Sequence, residues 1–170
     1  MTAKTYAVMN GAAPGAAAAV AITTGTAIKT HIQLATNTTT PAIRFVEWWA
    51  EFDGSTAATP IKVELIRHTG GAQTTLTAYA AADIAKVNDP NAPTSSIQLG
   101  TALSGFSNTT TEVTPTGAVS LETHFVPPTS GIYVQFPLGR EPEVQVSAFA
   151  RLRTTAGAAV NAYAGLMWEE

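Results

Sequence analysis

The stretch Pro41–Phe52, PAIRFVEWWAEF, decides how the chain is read. Arg44, Val46, Trp48, Ala50 and Phe52 fall on one side of it, and Ile43, Phe45, Glu47, Trp49 and Glu51 on the other. Alternation with a period of two over this length argues a β-strand rather than a helix. Val46, Trp48, Ala50 and Phe52 are expected to face the core, with Trp48 as the largest anchor. The opposite side mixes acids with Phe45 and Trp49, too apolar for a fully solvated face and too charged for a core. A second surface is expected to cover it.

Working outward, Ile28–Leu34, Ile61–His68, Val119–Val126 and Ile132–Phe136 repeat the alternation. Val144–Thr154 and Ala159–Trp168 read as the two closing strands. Thr69-Gly70-Gly71-Ala72 reads as a hairpin turn returning through Thr74–Ala80, because paired glycines supply positive φ. Ser95–Leu103 reads as a strand, and Gly105–Gly117 as a long surface loop with a short extended piece at Glu112–Thr114. Asp83–Lys86 is expected to form one helical turn. Ala16–Ile22 reads as a strand, although its alanines leave helix open.

The sum is about nine or ten strands with no helical period of any length. The chain is expected to be all-β, a single β-sandwich over 16–170 of jelly-roll or Greek-key type, since long connections favour crossings between sheets. Residues 1–15 are expected to be an N-terminal arm or edge segment. The expected core comprises Val46, Trp48, Ile61, Val63, Leu65, Leu121, Phe125, Val134, Val146 and Leu152.

The chain has 170 residues, of which only 12% are charged, with a net charge of −3 and no cysteine. Charged residues average about 25% in soluble domains, so this surface is built from Thr, Ser, Asn and Gln. The nine Lys and Arg are scattered. Nucleic-acid binding, which needs clustered cations, is not expected. Without cysteine there is no disulfide, thiolate metal site or cysteine nucleophile. No transmembrane helix and no secretory leader is read, so a cytoplasmic site of synthesis and no membrane partner are expected.

Chemistry-bearing residues do not converge. His31, His68 and His124 each fall on the outward side of a strand and are read as surface histidines. Glu47 and Glu51 lie ~13 Å apart along one strand, too far for a glycosidase pair on their own. Asp53, Asp83 and Asp89 sit in loops without the calcium-loop pattern. No nucleophile elbow or phosphate loop is present. No enzyme activity, cofactor or metal is expected.

Interaction surfaces are easier to nominate. Trp48 and Trp49 must point to opposite faces, so one is core and the other binds something or is covered. This singles out Phe45, Glu47, Trp49 and Glu51. Tyr6, Val8 and Met9 are apolar enough to dock an N-terminal segment on a partner. Pro137 and Pro142 restrain Leu138, Arg140 and Glu141, lowering the entropy lost if that loop binds.

The segments EWWAEFDGSTAATPIKVELIR, FVPPTSGIYVQFPLGREPEV and SAFARLRTTAGAAVNAYAGLMWEE resemble small β-sandwich structural proteins of tailed bacteriophages, of the capsid decoration or cement kind. The resemblance runs from about Thr40 onward. It implies a non-enzymatic homotrimer on the capsid exterior of the virion, bound to the major capsid protein. A phage tail or baseplate component is the neighbouring alternative. A carbohydrate-binding sandwich using Trp49 and loop acids is the alternative of another class.

Overall fold

A computed structural model describes residues 3–11, 21–38, 42–54, 59–107 and 111–170. Two antiparallel sheets face each other. The strands in chain order are β1 (Thr5–Met9), β2 (Ile22–Thr23), β3 (Lys29–Ala35), β4 (Ile43–Phe52), β5 (Ile61–His68), β6 (Thr77–Ala78), β7 (Ala85–Lys86), β8 (Gly105–Phe106), β9 (Val119–Val126), β10 (Gly131–Gln135), β11 (Glu143–Val144), β12 (Phe149–Thr155) and β13 (Asn161–Glu169). The first sheet runs β10-β4-β13-β1-β7, with β11 also beside β4 and β2 beside β13. The second runs β6-β8-β3-β12-β5-β9. The long strands from β3 to β5, and again from β9 to β13, pass from one sheet to the other, so neighbours within a sheet are seldom consecutive in sequence. This is the all-β sandwich that the alternation predicted.

One core joins the inner faces. Trp48, Phe45, Trp168, Tyr6, Leu166, Ile32, Leu34, Ile61, Val63, Leu65 and Leu152 are all buried in it. Leu121, Ile132 and Val134 pack against it at partial burial.

Several expectations on facing fail for one physical reason, the β-bulge. The pairing of β4 with β13 runs Met167↔Glu47 and then Trp168↔Phe45, leaving Val46 as an extra residue. A bulge resets the alternation. Ile43 and Phe45 therefore join Trp48, Ala50 and Phe52 on the core side, and Val46 drops to partial burial. A second bulge leaves Leu121 unpaired on β9. Beyond it His124 and Val126 face inward, with the His124 ring 5.7 Å from that of Trp48. Phe125, expected in the core, is 70% exposed. A third bulge makes His31 the extra residue of β3. It turns inward and is fully buried, with Nε2 2.7 Å from Thr154 Oγ1.

Other boundaries move as well. The Gly70-Gly71 turn does not return a partner to β5: Gly70 bridges Thr116, and β6 pairs with β8 instead. Ser95–Leu103 has no strand, although Ile97 is buried. Gly105–Phe106 is a strand, not loop. The closing strand expected over Val144–Thr154 is broken at Ser147, whose φ is 56°, and Val146 is exposed. The helical turn lies at Ala81–Asp83, starting two residues earlier than expected, with the Asp83 carboxylate accepting from Ala80 N–H. The strand expected over Ala16–Ile22 lies mostly outside the described residues; Ile22 itself starts β2.

Residues 5–9 are a sheet strand, β1, hydrogen-bonded to β13 on one side and β7 on the other. Lys4 is tied to Asp89 at 2.6 Å, and Asn88 Oδ1 accepts from Thr5 N–H. A free arm is therefore not what this segment forms.

Candidate interaction surface

The outer face of the first sheet gathers the largest group of unspent aromatic and acidic side chains. Cross-strand register places Tyr133 beside Trp49, Trp49 beside Gly165, and Gly165 beside Met9. One row along, Gln135, Glu47, Met167 and Ala7 align. On the other side, Gly131, Glu51 and Tyr163 align. Their inward neighbours Trp48, Ala50, Val134, Ala164 and Leu166 belong to the core cluster or pack against it, so these rows point away from it.

Gly165 shapes this face. A Cβ built there would overlap the Trp49 indole carbons. The missing side chain lets the indole lie on the neighbouring strand, which leaves Trp49 half-buried. Tyr133 is 60% exposed, and its hydroxyl donates to the Glu47 carboxylate. That bond to a carboxylate holds the phenol above its ordinary pKa. Glu51 is exposed and makes no ion pair among the described residues.

Of the residues nominated from sequence, the fold brings Met9, Glu47, Trp49 and Glu51 to this one face. Phe45, Tyr6 and Val8 are withdrawn from it: each is at most 1% exposed and lies in the core. The bulge at Val46 inverts Phe45. The β13 pairing puts Tyr6 opposite Trp168, with ring centroids 6.0 Å apart, and the Tyr6 hydroxyl donates to Pro93 O. Tyr133, Tyr163 and Met167 were missed. Val134 was expected to face inward, which already implied an outward Tyr133. Nothing local shows that β10 lies beside β4.

Leu138, Arg140 and Glu141 form a separate element at the edge of the same sheet. β10 and β11 both pair with β4, and the turn between them projects from that edge opposite the bulge. Arg140 N–H donates to Pro137 O, and Gly139 takes φ +80°, a value that glycine adopts without strain. Leu138 at the tip is 97% exposed. Arg140 is exposed and makes no ion pair among the described residues. The Glu141 carboxyl is held below its usual pKa, chiefly by nearby backbone N–H groups of its own turn.

The outer face of the second sheet is closed by a charge cluster. Glu112 bridges Arg151 at 3.1 Å and Arg153 at 2.7 Å, and Glu64 reaches Arg153 at 3.2 Å and Lys62 at 2.9 Å. Arg151 is fully buried and also donates to Gln33, Val113 O and Gly71 O. These bonds tie the 111–116 and 71–73 segments over the sheet. His68 lies nearby, stacked on Phe149 with centroids 5.1 Å apart and bonded through Nδ1 to Gly70 O. Burial lowers both His31 and His68 to about 4, so they are neutral and internal, not the surface histidines expected. His124 is half-buried and 2.9 Å from Glu122.

Among the described residues, no group of three or more His, Asp or Glu side chains is placed to hold a metal ion. Among them, too, no helix is long and apolar enough to cross a membrane. No protein-family model, no curated protein and no solved structure matches the chain.

Proposed function

We propose that this chain is a non-enzymatic structural protein of a phage virion, a capsid decoration protein that binds the major capsid protein on the head exterior as a homotrimer. The observation that carries the reading is the outer face of the first sheet, where Tyr133, Trp49, Tyr163, Met9 and Met167 stand beside Glu47 and Glu51. Aromatic residues and Met are enriched at protein interfaces. A face of this composition on a rigid sandwich suits a subunit held in an assembly. The likeness of the quoted segments to phage cement proteins supports the same reading, as does the projecting Pro137–Pro142 turn. A tail or baseplate subunit shares these supports and is separated by where the protein sediments.

Adding purified protein to heads that lack it tests the reading. The wild type is expected to pellet with heads, and Trp49→Ala with Tyr133→Ala to weaken that association. Pelleting with tails alone moves the assignment to the tail. Pelleting with neither overturns it.

The same aromatic row favours a second reading, a carbohydrate-binding module, because a half-buried indole flanked by carboxylates can stack on a sugar ring. Retention of the isolated protein on polysaccharide, lost in Trp49→Ala, would support it.

A further inference from the structure

We propose that a second copy of this chain docks its Pro137–Pro142 turn head to tail into the depression beside Glu51. The contact rests on the reading of the chain as an assembly subunit and names how one copy would meet the next.

The two halves are complementary and both are unspent. The depression measures about 450 Å³ and is lined by Glu51, Phe52, Ser130, Gly131, Ile132 and Tyr133. It offers the exposed Tyr133 ring and one carboxylate, Glu51, that has no ion pair among the described residues, backed by the buried Phe52 and by Ile132 packed on the core. The turn offers one apolar side chain and one cation: Leu138, 97% exposed, and Arg140, also without an ion pair among the described residues. In the docked arrangement Leu138 enters the depression and the Arg140 guanidinium pairs with the Glu51 carboxylate. Arginine's planar fork suits a carboxylate better than a lysine would.

The turn is also ready to bind. The Arg140 N–H to Pro137 O bond and the Gly139 conformation define its shape within the free chain. Little backbone entropy remains to be lost on contact.

The contact cannot form within one chain. Gly131 and the turn lie at opposite ends of β10, whose five residues span ~17 Å of the sheet edge. Turn and depression are different surfaces, so the contact is heterologous. Repeating it gives a closed ring or an open chain rather than a two-fold dimer.

Light scattering and sedimentation over micromolar to near-millimolar protein test the proposal. The wild type is expected to show a mass that is a multiple of 17.6 kDa. Leu138→Asp, Arg140→Glu and Glu51→Arg should each weaken association ~tenfold or more, since each spoils a central contact. These side chains are exposed, and unchanged thermal melts would show that the variants fold. Arg140→Glu and Glu51→Arg combined in one chain should regain assembly. A wild type that is monomeric throughout overturns the proposal, as does assembly insensitive to Leu138→Asp. A protein that assembles in this way yet ignores phage heads supports the contact and overturns the virion reading, so the two failures are distinguishable.

Discussion

Glu112→Ala should be among the most damaging single changes outside the apolar core. The Glu112 side chain is 4% exposed and, among the described residues, is the only carboxylate placed against Arg151, which is itself fully buried. It also serves Arg153 at 2.7 Å and accepts from Thr30 Oγ1 at 3.1 Å. At an effective dielectric of 20, each close pair is worth ~4 kcal/mol of Coulomb energy, most of it offset by the cost of desolvating the ions. The offset does not vanish with the carboxylate. Removing Glu112 leaves the buried Arg151 without a carboxylate and Arg153 sharing Glu64 with Lys62, and the measured cost of breaking such a pair is ~3–5 kcal/mol. Glu112→Gln keeps an acceptor and loses the charge, so it should cost less, about 2 kcal/mol. Val113→Ala, on the same segment but with a side chain partly in solvent, should cost under ~1 kcal/mol. Urea unfolding of the four proteins, with the slope compared as well as the midpoint, measures this. A Glu112→Ala loss under 1 kcal/mol at unchanged slope would falsify the claim that this carboxylate neutralises the buried guanidiniums.

Trp48→Ala should cost ~3–5 kcal/mol, read from denaturant midpoints, because its indole is fully buried at the centre of β4; a loss under 1 kcal/mol would contradict that burial. Acid should destabilise the fold through His31 and His68. Their folded pKa, about 4, lies below the unfolded 6.5, so the unfolded chain binds more protons between these values. The stability they contribute is therefore complete above pH 6.5 and falls as pH drops toward 4, by ~2 kcal/mol per histidine at pH 5. Urea melts at pH 7.5 and 5.0 should show this loss, and a flat profile would refute it. Deleting Met1–Met9 should remove cooperative unfolding rather than merely weaken attachment to a partner. Tyr6 and Val8 each forfeit ~1.5–3 kcal/mol of burial, against a total stability of ~5–15 kcal/mol for an ordinary domain. A wild-type melting curve by circular dichroism would show β1 to be detachable after all.

The chain by itself determined the class of fold. Alternation is a local property, and β3, β4, β5, β9, β10 and β13 lie where it placed them. It also determined that Trp48 and Trp49 part company, and that the Pro137–Pro142 segment is a stiff turn, because proline and glycine act on their own backbone. Register and cover were decided by the tertiary fold. A bulge depends on what the partner strand needs, and one extra residue at Val46, Leu121 or His31 reverses every side chain beyond it. That is why Phe45 is core and Phe125 is solvent. Glu112 stands in a Thr-rich stretch that reads as a surface loop, and only folding brings Arg151 and Arg153 beneath it. The outer face of the first sheet has the same origin: Tyr133, Trp49, Gly165 and Met9 come from four strands, and no spacing within one strand reports which residues its neighbours bring alongside.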